Sequence, residues 1–286
     1  MSDSVRNSQK HIKLFLPGPV EVLPEILDAQ AGWMIGHRMP EALELIGRIK
    51  PKLQQVFRTE QRVLFQSGTG SGFWEAAARC AVGKKVLHCT SGAFSDKWVN
   101  VTKAVGKEYD VIEFEWGQPV LPAPIIEKLK TGDYDALAIV HNETSTGITN
   151  PIQEIAAAVR ALPNGEDISI LVDCVSGMSG VELRFDDWDI DMAFCSSQKA
   201  FAMPPGLASL PANRASVLLI PTPIVSGRCT SSRTRFLIVS ATSKARPFKR
   251  SAPVRSTKRS SIELISMRGV YSKAIRAISS RKRFAA

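Results

Sequence analysis

Over residues 1–210, short apolar runs of strand length alternate with longer amphipathic or Ala-rich stretches. The runs cover 62–66, 85–89, 109–114, 136–140, 168–172 and 192–195. Between them, 73–82, 93–105, 125–130 and 151–162 suit crossover helices, and 40–57 predicts an earlier helix. Alternating strand and helix periods of this kind predict an α/β domain with a mainly parallel sheet flanked by helices. The Pro-rich stretch 118–124 reads as a loop, and no internal repeat is present.

Parallel strands bring their carboxyl ends to one edge, where open α/β sheets bind their ligands. The turns after the first, second, fourth, fifth and sixth runs are SGTGSG, TSGAFSDKW, HNETSTG, DCVSG and SSQKAFAMPPG. SGTGSG opens a helix, whose free N–H groups attract phosphate. It is not a nucleotide loop, because no Gly-Lys-Ser/Thr follows and Phe73 stands where the last Gly of GxGxxG belongs. Asp173 ends an apolar run, and a buried carboxylate needs a cationic or protonated partner. Lys199 sits among apolar residues, where desolvation favours the neutral, nucleophilic amine.

Taken singly, these could be a tight turn, a capping Asp and a surface Lys. Together, a phosphate cradle, a carboxylate and a tethering lysine are the parts that pyridoxal 5′-phosphate (PLP) requires. Phe94, in the second turn, is available to stack on the ring.

At these residues the sequence resembles the class V PLP-dependent aminotransferases, in particular the alanine–glyoxylate and serine–pyruvate (serine–glyoxylate) group. The motifs are FLPGPVEV, GHRMPE, QSGTGSG, SGAFSDKW, HNETSTGITNPI, ILVDCVSG and SSQKAFAMPPGLA, in family order over residues 12–208. The resemblance implies the aspartate aminotransferase-like, fold type I architecture and a homodimer with active sites at the subunit interface. It also implies amino-group transfer from alanine or serine to glyoxylate or pyruvate.

By the same resemblance, Lys199 is the covalent tether and proton carrier, and Asp173 is the partner of the pyridine nitrogen. Phe94 and Val175 cover the two faces of the ring. Thr144 hydrogen-bonds near its 3′ oxygen, and Gly68, Thr69 and Gln198 hold the phosphate. Gly18 lies near the substrate.

With 44% hydrophobic residues the chain can bury a sizeable core. Its net charge of +10 suggests nucleic acid until it is divided along the chain. Residues 211–286 hold 17 Lys and Arg against one acid, Glu263, which leaves 20 basic and 26 acidic residues in 1–210. The body is therefore mildly acidic, and the basic, Ser-rich tail makes the total positive.

Three regions are expected: an arm over 1–24, a PLP-binding domain over 25–210, and a tail over 211–286 without family resemblance. In the tail the family's small C-terminal domain is missing or replaced, and a shifted reading frame is one expectation for its origin. Ile262, Ile265, Tyr271, Ile275 and Ile278 approximate a helical stripe there.

With no apolar run of membrane-spanning length and no secretory leader pattern, a cytoplasmic protein without a membrane partner is expected. Five cysteines without a CxxC pair, and four histidines without ligand spacing, give no metal expectation. The alternatives are an impaired PLP-binding relative, a class V desulfurase or lyase using Cys229, and a nucleic-acid binder acting through the tail.

Overall fold

The computed structural model describes residues 11–213 of the chain. The Ile262–Ile278 stripe, Cys229 and all of the tail beyond Asn213 lie outside the described residues.

Among the described residues six α-helices are formed: α1 (Pro24–Gln30), α2 (Pro40–Phe57), α3 (Gly70–Ala81), α4 (Ala93–Ala104), α5 (Pro122–Lys130) and α6 (Ile152–Arg160). The strands are β1 (Val63–Ser67), β2 (Lys85–Thr90), β3 (Glu108–Glu113), β4 (Ala136–Val140), β5 (Asn142–Glu143), β6 (Ile148–Thr149), β7 (Ser169–Asp173), β8 (Met192–Ser196) and β9 (Leu207–Pro211). Seven strands make one sheet in the order β1-β9-β8-β7-β4-β2-β3, and β5–β6 is a separate small hairpin. Adjacent strands from β8 to β3 pair in parallel. β9 alone runs the other way, antiparallel to both β8 and β1.

Successive residues of a strand face opposite sides, so the buried central strands feed two cores. Leu137 and Ile139 of β4, with Ile170 and Val172 of β7, pack under α2, α5 and α6 through Ile49, Leu53, Ile125, Ile152 and Ile155. Ala136, Ala138 and Val140 face the other side with Leu171 and Phe194, under Phe73, Trp74, Ala77 and Trp98 of α3 and α4. The result is a three-layer α/β/α domain. The helices dock because their apolar residues recur at helical spacing, as in α6, which buries Ile152, Ile155, Ala156 and Val159.

α1 and the β5–β6 hairpin have no counterpart in the sequence reading, and two further elements depart from it. The stretch 118–124 is not loop throughout, because α5 begins at Pro122, with proline in its first turn. A first-turn proline loses no helical hydrogen bond, and its fixed φ suits the helix. β9 has no counterpart among the apolar runs and completes the sheet between β1 and β8.

Candidate active site

The turns after β1, β2, β4, β7 and β8 meet at the carboxyl edge of the sheet and enclose a cavity of about 420 Å³. Every turn contributes a wall. Thr69 and Ser71 come from the first, Phe94 from the second, Asn142 and Thr144 from the third. Asp173 and Val175 come from the fourth, Gln198 and Lys199 from the fifth, and Gly18 reaches in from the amino-terminal segment.

Asp173 ends β7 and is buried. The Trp74 indole N–H donates to its Oδ2 at 2.6 Å, and the Val175 backbone N–H donates to its Oδ1 at 2.7 Å. Burial pushes its carboxyl up to about 6. The two N–H donors and the Lys199 charge oppose that rise, while Glu143 adds to it. The carboxyl therefore holds a proton unusually well at a wall of the cavity.

Lys199 follows β8 in a loop that closes on itself. Ser197 Oγ donates to Pro204 O at 2.6 Å, and the Ser197 and Met203 amides donate to Leu207 O and Ser197 O at 2.9 and 3.0 Å. The Lys199 side chain is half-buried, with Nζ 5.7 Å from the centroid of the Phe94 ring. Burial lowers its pKa, partly offset by the Asp173 charge. Gly18, at φ +153, packs so tightly that a Cβ there would lie 2.4 Å from Lys199 Cδ. The same segment is tied down by the Val20 N–H, which donates to Gln198 O at 3.0 Å.

At the other end, α3 starts from Thr69 with no side-chain cap. The first-turn N–H groups of an uncapped helix attract anions. Beside it, Gln198 Oε1 and Ser196 Oγ are buried without a hydrogen-bond partner. Orphaned polar atoms in a cavity wall fit a polar ligand that would pair them. Gly68 does not line the cavity: its N–H is donated to Gly206 O at 2.9 Å, which pins the first turn to the loop before β9.

Sequence reasoning missed Trp74, Asn142, Ser176, Ser196 and Glu143. Trp74 is recognisable only as an aromatic one turn into the helix after SGTGSG. Glu143 is an acid enclosed by a turn of the site. Gly92, the residue before α4, has no side chain with which to cap the helix. Ser145 Oγ instead accepts the Ala93 N–H at 2.9 Å, and Glu143 accepts those of Phe94 and Ser95 at 3.3 and 3.0 Å.

An acid, an amine, an aromatic ring and an uncapped helix start, set along the carboxyl edge of this sheet, define a protein of the aspartate aminotransferase-like fold. The chain belongs to the class V aminotransferase family, whose model matches residues 26–233. It is 34% identical to the L-aspartate–glyoxylate aminotransferase of Paracoccus denitrificans over 68% of this chain and 50% of that protein. It is 32% identical to the serine–glyoxylate aminotransferase of Methylorubrum extorquens over 72% of this chain and 52% of that one. Among solved structures, an alanine–glyoxylate aminotransferase from Nostoc sp. superposes with a TM-score of 0.67 at 27% identity, over 79% of this chain and 61% of that one. The resemblance read from the motifs is thus borne out for family and fold. The chain spans about half the length of the curated relatives it matches.

Proposed function

We propose that this chain binds PLP in the cavity and transfers an amino group from a small amino acid to glyoxylate or a similar 2-oxo acid. The observation that carries the proposal is the cavity itself, where a carboxyl of raised pKa, an amine of lowered pKa and an uncapped helix start face one space. The names of the relatives support glyoxylate as acceptor, and their donors include aspartate and serine.

PLP supplies an electrophilic carbon and an electron-accepting ring when bound. Lys199, half-buried with a lowered pKa, is the amine that forms the tether and then carries a proton at Nζ. Asp173 keeps a proton at the ring nitrogen, and Trp74 and Val175 fix its two oxygens. Phe94 and Val175 would cover the two faces of the ring, and Thr144 would hydrogen-bond near its 3′ oxygen. The helix start at Thr69 and the side-chain N–H₂ of Gln198 would hold the phosphate, with Gly68 setting the turn. A homodimer fits the exposed Phe15, Trp33 and Met34 of the amino-terminal segment, at 87%, 96% and 61% exposure.

A second reading, an impaired PLP-binding relative, is favoured by one observation: among the described residues no arginine lines the cavity to grip a substrate carboxylate.

One titration separates them. The full chain mixed with PLP is expected to give a visible absorbance band that Lys199→Ala abolishes. Bleaching of the band by L-alanine, L-serine or L-aspartate, with recovery on adding glyoxylate, supports transamination. A band that no amino acid changes supports the impaired relative, and absence of any band refutes both.

A further inference from the structure

We propose that Glu143 is a positioning residue whose carboxylate clamps the start of α4 to the β5–β6 hairpin, holding Phe94 and Thr144 in register across the cavity. The inference rests on the PLP reading of the cavity for its functional consequence, and on the hydrogen bonds alone for the clamp.

Glu143 is fully buried, with no exposed surface. On one side its carboxylate accepts the backbone N–H groups of Phe94 at 3.3 Å and Ser95 at 3.0 Å. On the other it accepts the Ser145 N–H at 3.2 Å and the Ser145 hydroxyl at 2.7 Å. The Ser95 hydroxyl lies 3.2 Å from Oε2 and 2.8 Å from Gly92 O, one proton between two acceptors.

Donors from two elements thus converge on one side chain. A carboxylate satisfies them, whereas an amide turns an N–H₂ group toward one pair. The fit is tight, because a Cβ on Gly92 would lie 2.5 Å from both Glu143 Cγ and Ser145 Oγ. Phe94 is the second residue of α4, and Thr144 lies between Glu143 and Ser145 in the chain. Both wall residues are therefore set by the group that joins their backbones.

The test compares Glu143→Gln with Asp135→Asn in the full chain. Asp135 is the matched structural control: it accepts the backbone N–H groups of Gly83, Lys84 and Lys85 at 2.7, 2.7 and 3.0 Å, outside the cavity lining. Two readouts are taken, amide hydrogen exchange over residues 93–95 without ligand and the PLP dissociation constant by absorbance.

Glu143→Gln is expected to speed exchange at these amides by about ten-fold or more and to weaken PLP binding by about ten-fold, while Asp135→Asn does neither. Exchange left at the wild-type rate overturns the clamp. Faster exchange with PLP affinity unchanged overturns the positioning role. Should Glu143→Gln fail to fold, Ser145→Ala removes one of the two hairpin donors to Glu143 and is expected to give both effects at about three-fold, with the same two refutations. Exchange is then read at Phe94 and Ser95 alone, because Ser145 Oγ itself accepts the Ala93 N–H. A wild-type chain that takes up no PLP sinks the proposed function instead, and the exchange result then decides the clamp by itself.

Discussion

Replacing Asp173 with asparagine tests whether the cavity carboxyl carries the energetic cost its burial implies. Its pKa is raised from 3.8 to about 6, first by burial. The folded chain therefore binds this proton more tightly than the unfolded chain does. Such a group contributes stability that is fully present below its unfolded value and is lost as pH rises through its folded value. The span corresponds to about 3 kcal/mol, with about 2 kcal/mol of it falling between roughly pH 4.5 and 7.5.

The Asp173→Asn side chain does not titrate and carries no such loss. It does lack one acceptor for the Trp74 or Val175 N–H, a pH-independent penalty of about 1–3 kcal/mol. The difference between the two proteins removes every other titrating group. Urea unfolding of both ligand-free chains across that range is expected to show the Asp173→Asn variant gaining on wild type by about 2 kcal/mol as pH rises. A constant gap, or one that opens in the opposite direction, refutes the reading of Asp173 as a buried, proton-retaining carboxyl.

Two further outcomes are expected. Gly70→Ala places a Cβ 2.3 Å from Val175 Cγ2, so the variant should lose about 1–3 kcal/mol in urea titrations and bind PLP more weakly, because Val175 must shift into the cavity. His88 is buried on β2 against Trp98 with its Nε2 2.9 Å from Thr102 Oγ1, and burial lowers its pKa to about 3. The unfolded chain takes up this proton first, so stability present above about pH 6.5 falls on acidification, and His88→Gln should lower the acid slope of urea stability by about 1.4 kcal/mol per pH unit.

Much of this arrangement was legible in the chain. The run 136–140 is β4 to the residue, because a strand buried on both faces carries no polar interruption. Lys199, Asp173, Phe94 and the turn that holds Thr69 were found from the order of polar turns after apolar runs, Thr144 and Val175 came from the family resemblance, and all of them line one cavity. β9 was not legible, because LASLP has no distinguishing period and exists as a strand through its pairing with β1 and β8. Trp74 and Glu143 were missed for a related reason. Their partners lie 99 and 48 residues away, and local pattern carries no trace of a donor delivered by the fold.

The two edges of the sheet divide the work in a way that only the third dimension reveals. At the amino ends of the strands the buried and half-buried charged groups are paired. Asp135 accepts the amides that open β2. Arg160 ties the end of α6 to Ile168 O and, at 2.6 Å, to Asp191, whose Oδ2 also accepts the Ile170 N–H at 2.7 Å. Such networks hold only when complete, since a buried charge left alone is costly.

At the carboxyl ends the carboxylates of Asp173 and Glu143 are paired, but neutral polar atoms are not. The described side-chain atoms that are buried without a partner belong to Ser91, His141, Thr146, Ser196 and Gln198, and each lies at or just beyond the end of β2, β4 or β8, or in the β5–β6 hairpin between them. Unpaired polar atoms and a proton-retaining carboxyl lower the stability of the empty chain, which the packed and ion-paired edge must offset. The fold thus pairs its buried carboxylates at both edges, Glu143 and Asp173 included, and leaves neutral polar atoms unpaired at the carboxyl edge, where those of Ser196 and Gln198 line the cavity and a polar ligand can complete them.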